Sequence, residues 1–113
     1  MADIIQLAEA LGKAIGAAPE AAAMRDARQA LQGKPELRQM LNDYQGQINR
    51  IGRLEHEGKP VDAADKQKLQ AMHDKLIADP VFKKLTEAQM DYVELLRKVN
   101  NAVKQQLKGT EAE

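Results

Sequence analysis

Apolar residues recur at intervals of three and four along nearly the whole chain, the spacing that gathers them on one face of an α-helix. Ile4, Leu7, Ala8, Leu11 and Ile15 form the first stripe, and Asp3 is placed to cap it by accepting from first-turn amides. Gly16 and Pro19 interrupt the pattern. A second, shorter helix starts near Pro19, a residue suited to a first helical turn, and carries Ala23, Met24, Ala27, Ala30 and Leu31. Gly33-Lys34-Pro35 breaks the chain again. A third helix runs from Pro35 to Glu57 with Leu37, Met40, Leu41, Tyr44, Ile48, Ile51 and Leu54 as its stripe. Gly58-Lys59-Pro60 is the clearest turn, since glycine suits a helix C-terminus and proline stops continuation. Asp62 caps a fourth helix carrying Leu69, Met72, Leu76 and Ile77. Asp79-Pro80 then opens the fifth and longest, from Pro80 to about Leu107, with a tail over 109–113 that should fray.

The pattern predicts an all-α fold of about five helices, two of them long, in antiparallel, bundle-like packing. Residues 1–108 make a single helical domain. The chain also repeats itself weakly: Leu31 to Leu37 aligns with Leu76 to Phe82 at an offset of 45 residues, and Ile48 then matches Val93 and Ile51 matches Leu96. A duplication and a shared geometric solution both fit so few identities.

Length makes the longest helix informative. Twenty-eight residues of helix span roughly 42 Å at about 1.5 Å per residue, whereas a compact chain of this size has a diameter of roughly 35 Å. Leu95 and Leu96 cannot point the same way, so the apolar arc is wide as well as long. A partner chain is the simplest cover, with a two-fold homodimer as the default. The stripes expected to form that interface are Leu37, Leu41, Tyr44, Ile48 and Ile51 on the third helix. On the fifth they are Phe82, Leu85, Tyr92, Leu96, Val99 and Val103.

Composition narrows the chemistry. Aromatics are 3% of the 113 residues, so the core is aliphatic, which favours helix over sheet. Seventeen basic residues balance seventeen acidic ones, and the chain lacks the basic excess of a typical nucleic-acid binder. Lys83, Lys84, Arg97, Lys98, Lys104 and Lys108 line the last helix, but Glu87, Asp91 and Glu94 interrupt them. Direct nucleic-acid binding is not expected. There is no cysteine, which removes disulfides, thiolate chemistry and cysteine-ligated metal clusters together. There is no serine, and the two threonines, Thr86 and Thr110, give little basis for a histidine-activated hydroxyl nucleophile. His56 and His73 lack the Glu-x-x-His and His-Glu-x-x-His spacings of metal sites. The expectation is no enzyme, no cofactor, no metal and no catalytic residue. The first residues carry no signal-peptide charge and no run is long enough to span a membrane, so a cytoplasmic location is expected.

Small residues stand at Ala8, Gly12 and Gly16 in a row suited to close helix packing. Gly46 and Gly52 lie inside the third helix, each at a cost of about 1 kcal/mol relative to alanine. Close crossings, a bend or exposed positions would each account for them.

One family shares this order of signals. It consists of an Ile-Ile-x-Leu-Ala-x-x-Leu-x-x-Ala-Ile helix over 4–15, a Leu31-x3-Pro35 break and a long helix closing in Leu54-Glu-x-Glu-Gly-Lys-Pro60. A Leu76-x3-Pro80 break and a last helix with Ala88 and Val99-Asn100 complete it. The arrangement resembles the YlbF/YmcA family of small bacterial helical proteins, YheA-type members included, over residues 3 to about 104. The resemblance implies an all-α fold with long helices, homo- or hetero-oligomers with other family members, and a regulatory role. The best-known members act in biofilm formation, competence and sporulation, in a complex that adjusts messenger-RNA processing by a membrane-anchored endoribonuclease. Iron–sulfur clusters are linked to those members through cysteines, and a cysteine-free chain does not carry that property over.

Overall fold

The computed structural model describes residues 3–111, all in helices or the short connections between them. Five helices follow in order: α1 (Ile4–Gly16), α2 (Pro19–Gln32), α3 (Pro35–His56), α4 (Ala63–Ala78) and α5 (Pro80–Glu111). No strand occurs among the described residues. The expected all-α class is therefore the observed one, and the longest helices are α3 and α5. The fifth helix continues past Leu107 to Glu111, and the last two residues of the expected tail lie outside the described span.

Prolines and glycines set the boundaries as local chemistry requires. Pro19, Pro35 and Pro80 each open a helix, where the missing N–H costs nothing. At the end of α3, Gly58 takes a φ of +70°. The Lys59 amide then donates to the Leu54 carbonyl at 2.8 Å and the Gly58 amide to the Glu55 carbonyl at 3.1 Å, a Schellman closure that uses two orphan carbonyls. Capping by aspartate is less uniform. Asp79 Oδ1 accepts from the amides of Val81 at 2.8 Å and Phe82 at 3.3 Å. Asp3 and Asp62 stand at the N-cap positions of α1 and α4, but their carboxylates make no capping bond.

Contacts divide the chain into two units: residues up to Ala27 together with those from Thr86 onward, and Arg28–Leu85. The Arg28–Leu85 unit is organised by α3 and α4, which pack as an antiparallel hairpin. Leu37 and Leu76 are its most deeply buried side chains, at 2% and 1% exposure, with Leu85 close behind. Gln47 is buried too, and it is satisfied: its Nε2 donates to the Asp65 carbonyl at 3.0 Å. Arg50 Nε reaches the Asp65 carboxylate at 3.4 Å from the exposed side.

Lys34 and Asp79, equivalent positions of the 45-residue repeat, meet as an ion pair at 3.8 Å. The two helix–proline–helix breaks therefore lie side by side within this unit. Asp79 thus holds two jobs, capping α5 and pairing with Lys34. Replacing it with alanine should cost about 0.5–2 kcal/mol, mostly from the lost cap. The exposed ion pair adds little. Urea unfolding of Asp79→Ala, with Lys34→Ala beside it as the control for the pair alone, measures the difference.

The other unit has a core of three alanines and one methionine, Ala21, Met24 and Ala27 of α2 and Ala88 of α5. On α2 the buried face is rotated from the expected one: Ala21 is covered, while Ala23 and Ala30 of the anticipated stripe are exposed. An alanine-rich helix leaves its face ambiguous, because burying a single methyl gains little and Met24 and Ala27 are common to both alternatives. The Arg25 Nη1 donates to the Gly16 carbonyl at 3.0 Å, placing a cation on the C-terminal carbonyls of α1.

Candidate interaction surface

α1 is apolar around about half its circumference, yet no residue of it is buried. Ile4 is 79% exposed, and Ile5, Leu7 and Leu11 are also well exposed. On α5, Met90, Val93, Val103 and Leu107 are exposed as well. Covering a large aliphatic side chain that starts half exposed is worth on the order of 1 kcal/mol. Large exposed apolar side chains gathered on one helix face are uncommon on a monomeric protein.

The residues expected at an interface fall into three groups. Leu37 and Leu85 are buried within the chain itself. Leu41, Tyr44, Ile51, Phe82, Tyr92, Leu96 and Val99 are half-buried. Ile48 and Val103 face solvent. The α1 face was not among the expected interface residues, and neither were Met90, Val93 and Leu107. The sequence held one signal for α1: its apolar residues outnumber what a single flanking helix covers.

Polar groups near these faces are simply arranged. Tyr44 and His73 come together across α3 and α4, with the hydroxyl 3.4 Å from Nδ1 and the rings tilted by 35°. Glu94 pairs with Arg97 one turn on. The Arg97 guanidinium holds the Glu94 carboxyl below its ordinary range, chiefly through that hydrogen bond. Both groups are in solvent. Among the described residues no group of three or more histidine, aspartate or glutamate side chains is placed to hold a metal ion. No helix among them is long and apolar enough to cross a membrane.

Of the three alternatives for Gly46 and Gly52 the structure shows exposed positions, and the row at Gly12 and Gly16 has no helix packed on it within the chain. A Cβ built at Gly12, Gly16, Gly46 or Gly52 meets nothing within 4 Å. Gly46 and Gly52 instead flank a shallow groove on the outside of α3, with Asn49, Arg53 and His56. In the isolated chain, Gly46→Ala and Gly52→Ala should therefore each stabilise by about 1 kcal/mol, with no contact to lose. Thermal unfolding of the two variants reads this as raised midpoints. Lowered midpoints would mean that a second chain packs into the groove.

Residues 4–108 match the family model described as control of competence regulator ComK, YlbF/YmcA. A UPF0342 protein of Desulfitobacterium hafniense (strain Y51) is 25% identical over 104 residues, covering 92% of this chain and 79% of that protein.

Proposed function

Since this chain belongs to the YlbF/YmcA family, linked by its description to control of the competence regulator ComK, we propose that it works in regulation as a non-enzymatic protein-interaction module. It associates with itself, as a dimer or higher oligomer, and docks other chains on exposed apolar helix faces. The observation that carries this reading is the wide apolar face of α1, of which nothing is buried. Candidate contact residues are the exposed Ile48 and Val103 and the half-buried Tyr92, Leu96 and Val99 of the α3 and α5 stripes. The partners that fit are other members of the family and an endoribonuclease complex, in the cytoplasm, so that the protein acts as an adaptor influencing RNA processing and competence or biofilm development. No catalytic group is assigned.

The test is affinity purification of the tagged protein from its native host, split into nuclease-treated and untreated halves, with mass spectrometry of each. A ribonuclease or family members that survive nuclease support the adaptor role. Partners lost on nuclease treatment would instead make the protein an RNA-associated accessory factor, held through Arg97, Lys98, Lys104 and Lys108. Recovery of this chain alone leaves a self-associating helical protein with no adaptor role.

A further inference from the structure

Two strips in the same unit, exposed except for the half-buried Ile15 and Leu96, have matching lengths and matching intervals. Ile4, Ala8, Leu11 and Ile15 of α1 stand four, three and four residues apart. Leu96, Asn100, Val103 and Leu107 of α5 repeat those intervals in the same order. Each strip therefore rises about 16 Å, and each follows the alternation that keeps a helix seam facing a partner helix. The two helix segments that carry them have opposite net charge. From Leu95 to Lys108, α5 carries four basic residues and no acidic one. Asp3 and Glu9 outnumber Lys13 on α1 and its cap, leaving it net negative.

These strips do not satisfy each other within one chain. With α1 in place, Leu11 is still 40% exposed, Val103 48% and Leu107 55%. The two-residue connector Ala17-Ala18 and the Arg25 bond to the Gly16 carbonyl tie the end of α1 to α2. Small residues at Ala8 and Gly12, beside which nothing is packed at Gly12, let a helix approach α1 closely.

Building on the self-association proposed above, we infer that the Leu96–Leu107 strip of α5 receives α1 of a second copy of this chain. The exchange is reciprocal about a two-fold axis, so that one dimer contains two α1-on-α5 contacts. Asn100 is the one polar residue in the receiving seam, and a polar side chain at such a position fixes register at some cost in stability.

The absence of native cysteine permits a direct test. Leu11→Cys is placed in one tagged population and Val103→Cys in another of different size, and the two are mixed, equilibrated and treated with a short bismaleimide. Gln105→Cys, on the opposite side of α5, replaces Val103→Cys in the control. Light scattering of the unmodified protein gives the oligomeric state. A dimeric protein whose 11–103 mixture crosslinks between chains severalfold more than the 11–105 control is the expected result. A dimer in which the two mixtures crosslink equally would overturn the α1 exchange while leaving self-association intact. A monomer across the accessible concentration range would remove both.

Discussion

Leu76→Ala should cost about 2–5 kcal/mol, the range for a fully buried leucine truncated in a core that cannot collapse around the gap. Leu76 is 1% exposed, and it lies in the last turns of α4, just before the Asp79-Pro80 break. Leu37, at 2%, occupies the first turn of α3 after the other proline break. Both therefore sit at the proline breaks between helices, and among the described residues no other side chain is as deeply buried. A domain of this size has only about 5–15 kcal/mol of stability to lose. Each single substitution should bring the urea midpoint far down, and the double variant should be largely unfolded in water. The check is equilibrium unfolding followed by circular dichroism. Ile77→Ala, at an exposed position outside the two strips proposed to pair, serves as the control and should move the midpoint little. A Leu76→Ala loss below about 1 kcal/mol would place it outside the range for buried leucines.

The second large effect separates folding from assembly on one helix. Leu85 and Val93 both belong to the apolar pattern of α5, but Leu85 is 8% exposed and Val93 64%. A glutamate at Leu85 must be desolvated without a partner, at a penalty of several kcal/mol, so Leu85→Glu should lose helical signal before it loses anything else. Val93→Glu meets solvent. Its stability should stay within about 0.5 kcal/mol of the parent, while the self-association we propose weakens because the charge falls beside the receiving strip. Circular dichroism and light scattering on the same samples resolve the two outcomes. A folded Val93→Glu with undiminished mass would exclude that side of α5 from the interface. A folded Leu85→Glu would contradict the burial of Leu85.

Helix existence and boundaries were legible in the amino-acid order because their causes are local. Spacing by threes and fours, proline in first turns and glycine at the end of α3 act within a few residues of where they stand. The five helices accordingly begin and end close to where the pattern puts them, with α5 running a few residues further. The Asp79 cap was legible for the same reason, since its carboxylate only has to reach amides two and three residues on. Asp3 and Asp62 carry the same signal and do not use it.

What the order of residues did not contain is the neighbour on each face. A periodic stripe identifies the side of a helix that is apolar, but an arc as wide as that of α5 has more than one side to cover. Only the tertiary structure decides that Leu85 and Ala88 are enclosed while Met90 and Val93 are not. It likewise decides that Gln47, a polar residue beside the α3 stripe, is buried, because its partner is a carbonyl 18 residues away on another helix. The same holds for α1. Its amphipathic pattern was plain from Ile4 to Ile15, and the pattern alone predicts a covered face. The structure leaves that face open. Periodicity is a property of one segment, whereas burial depends on which segments meet, and contacts between distant segments leave no mark on local spacing.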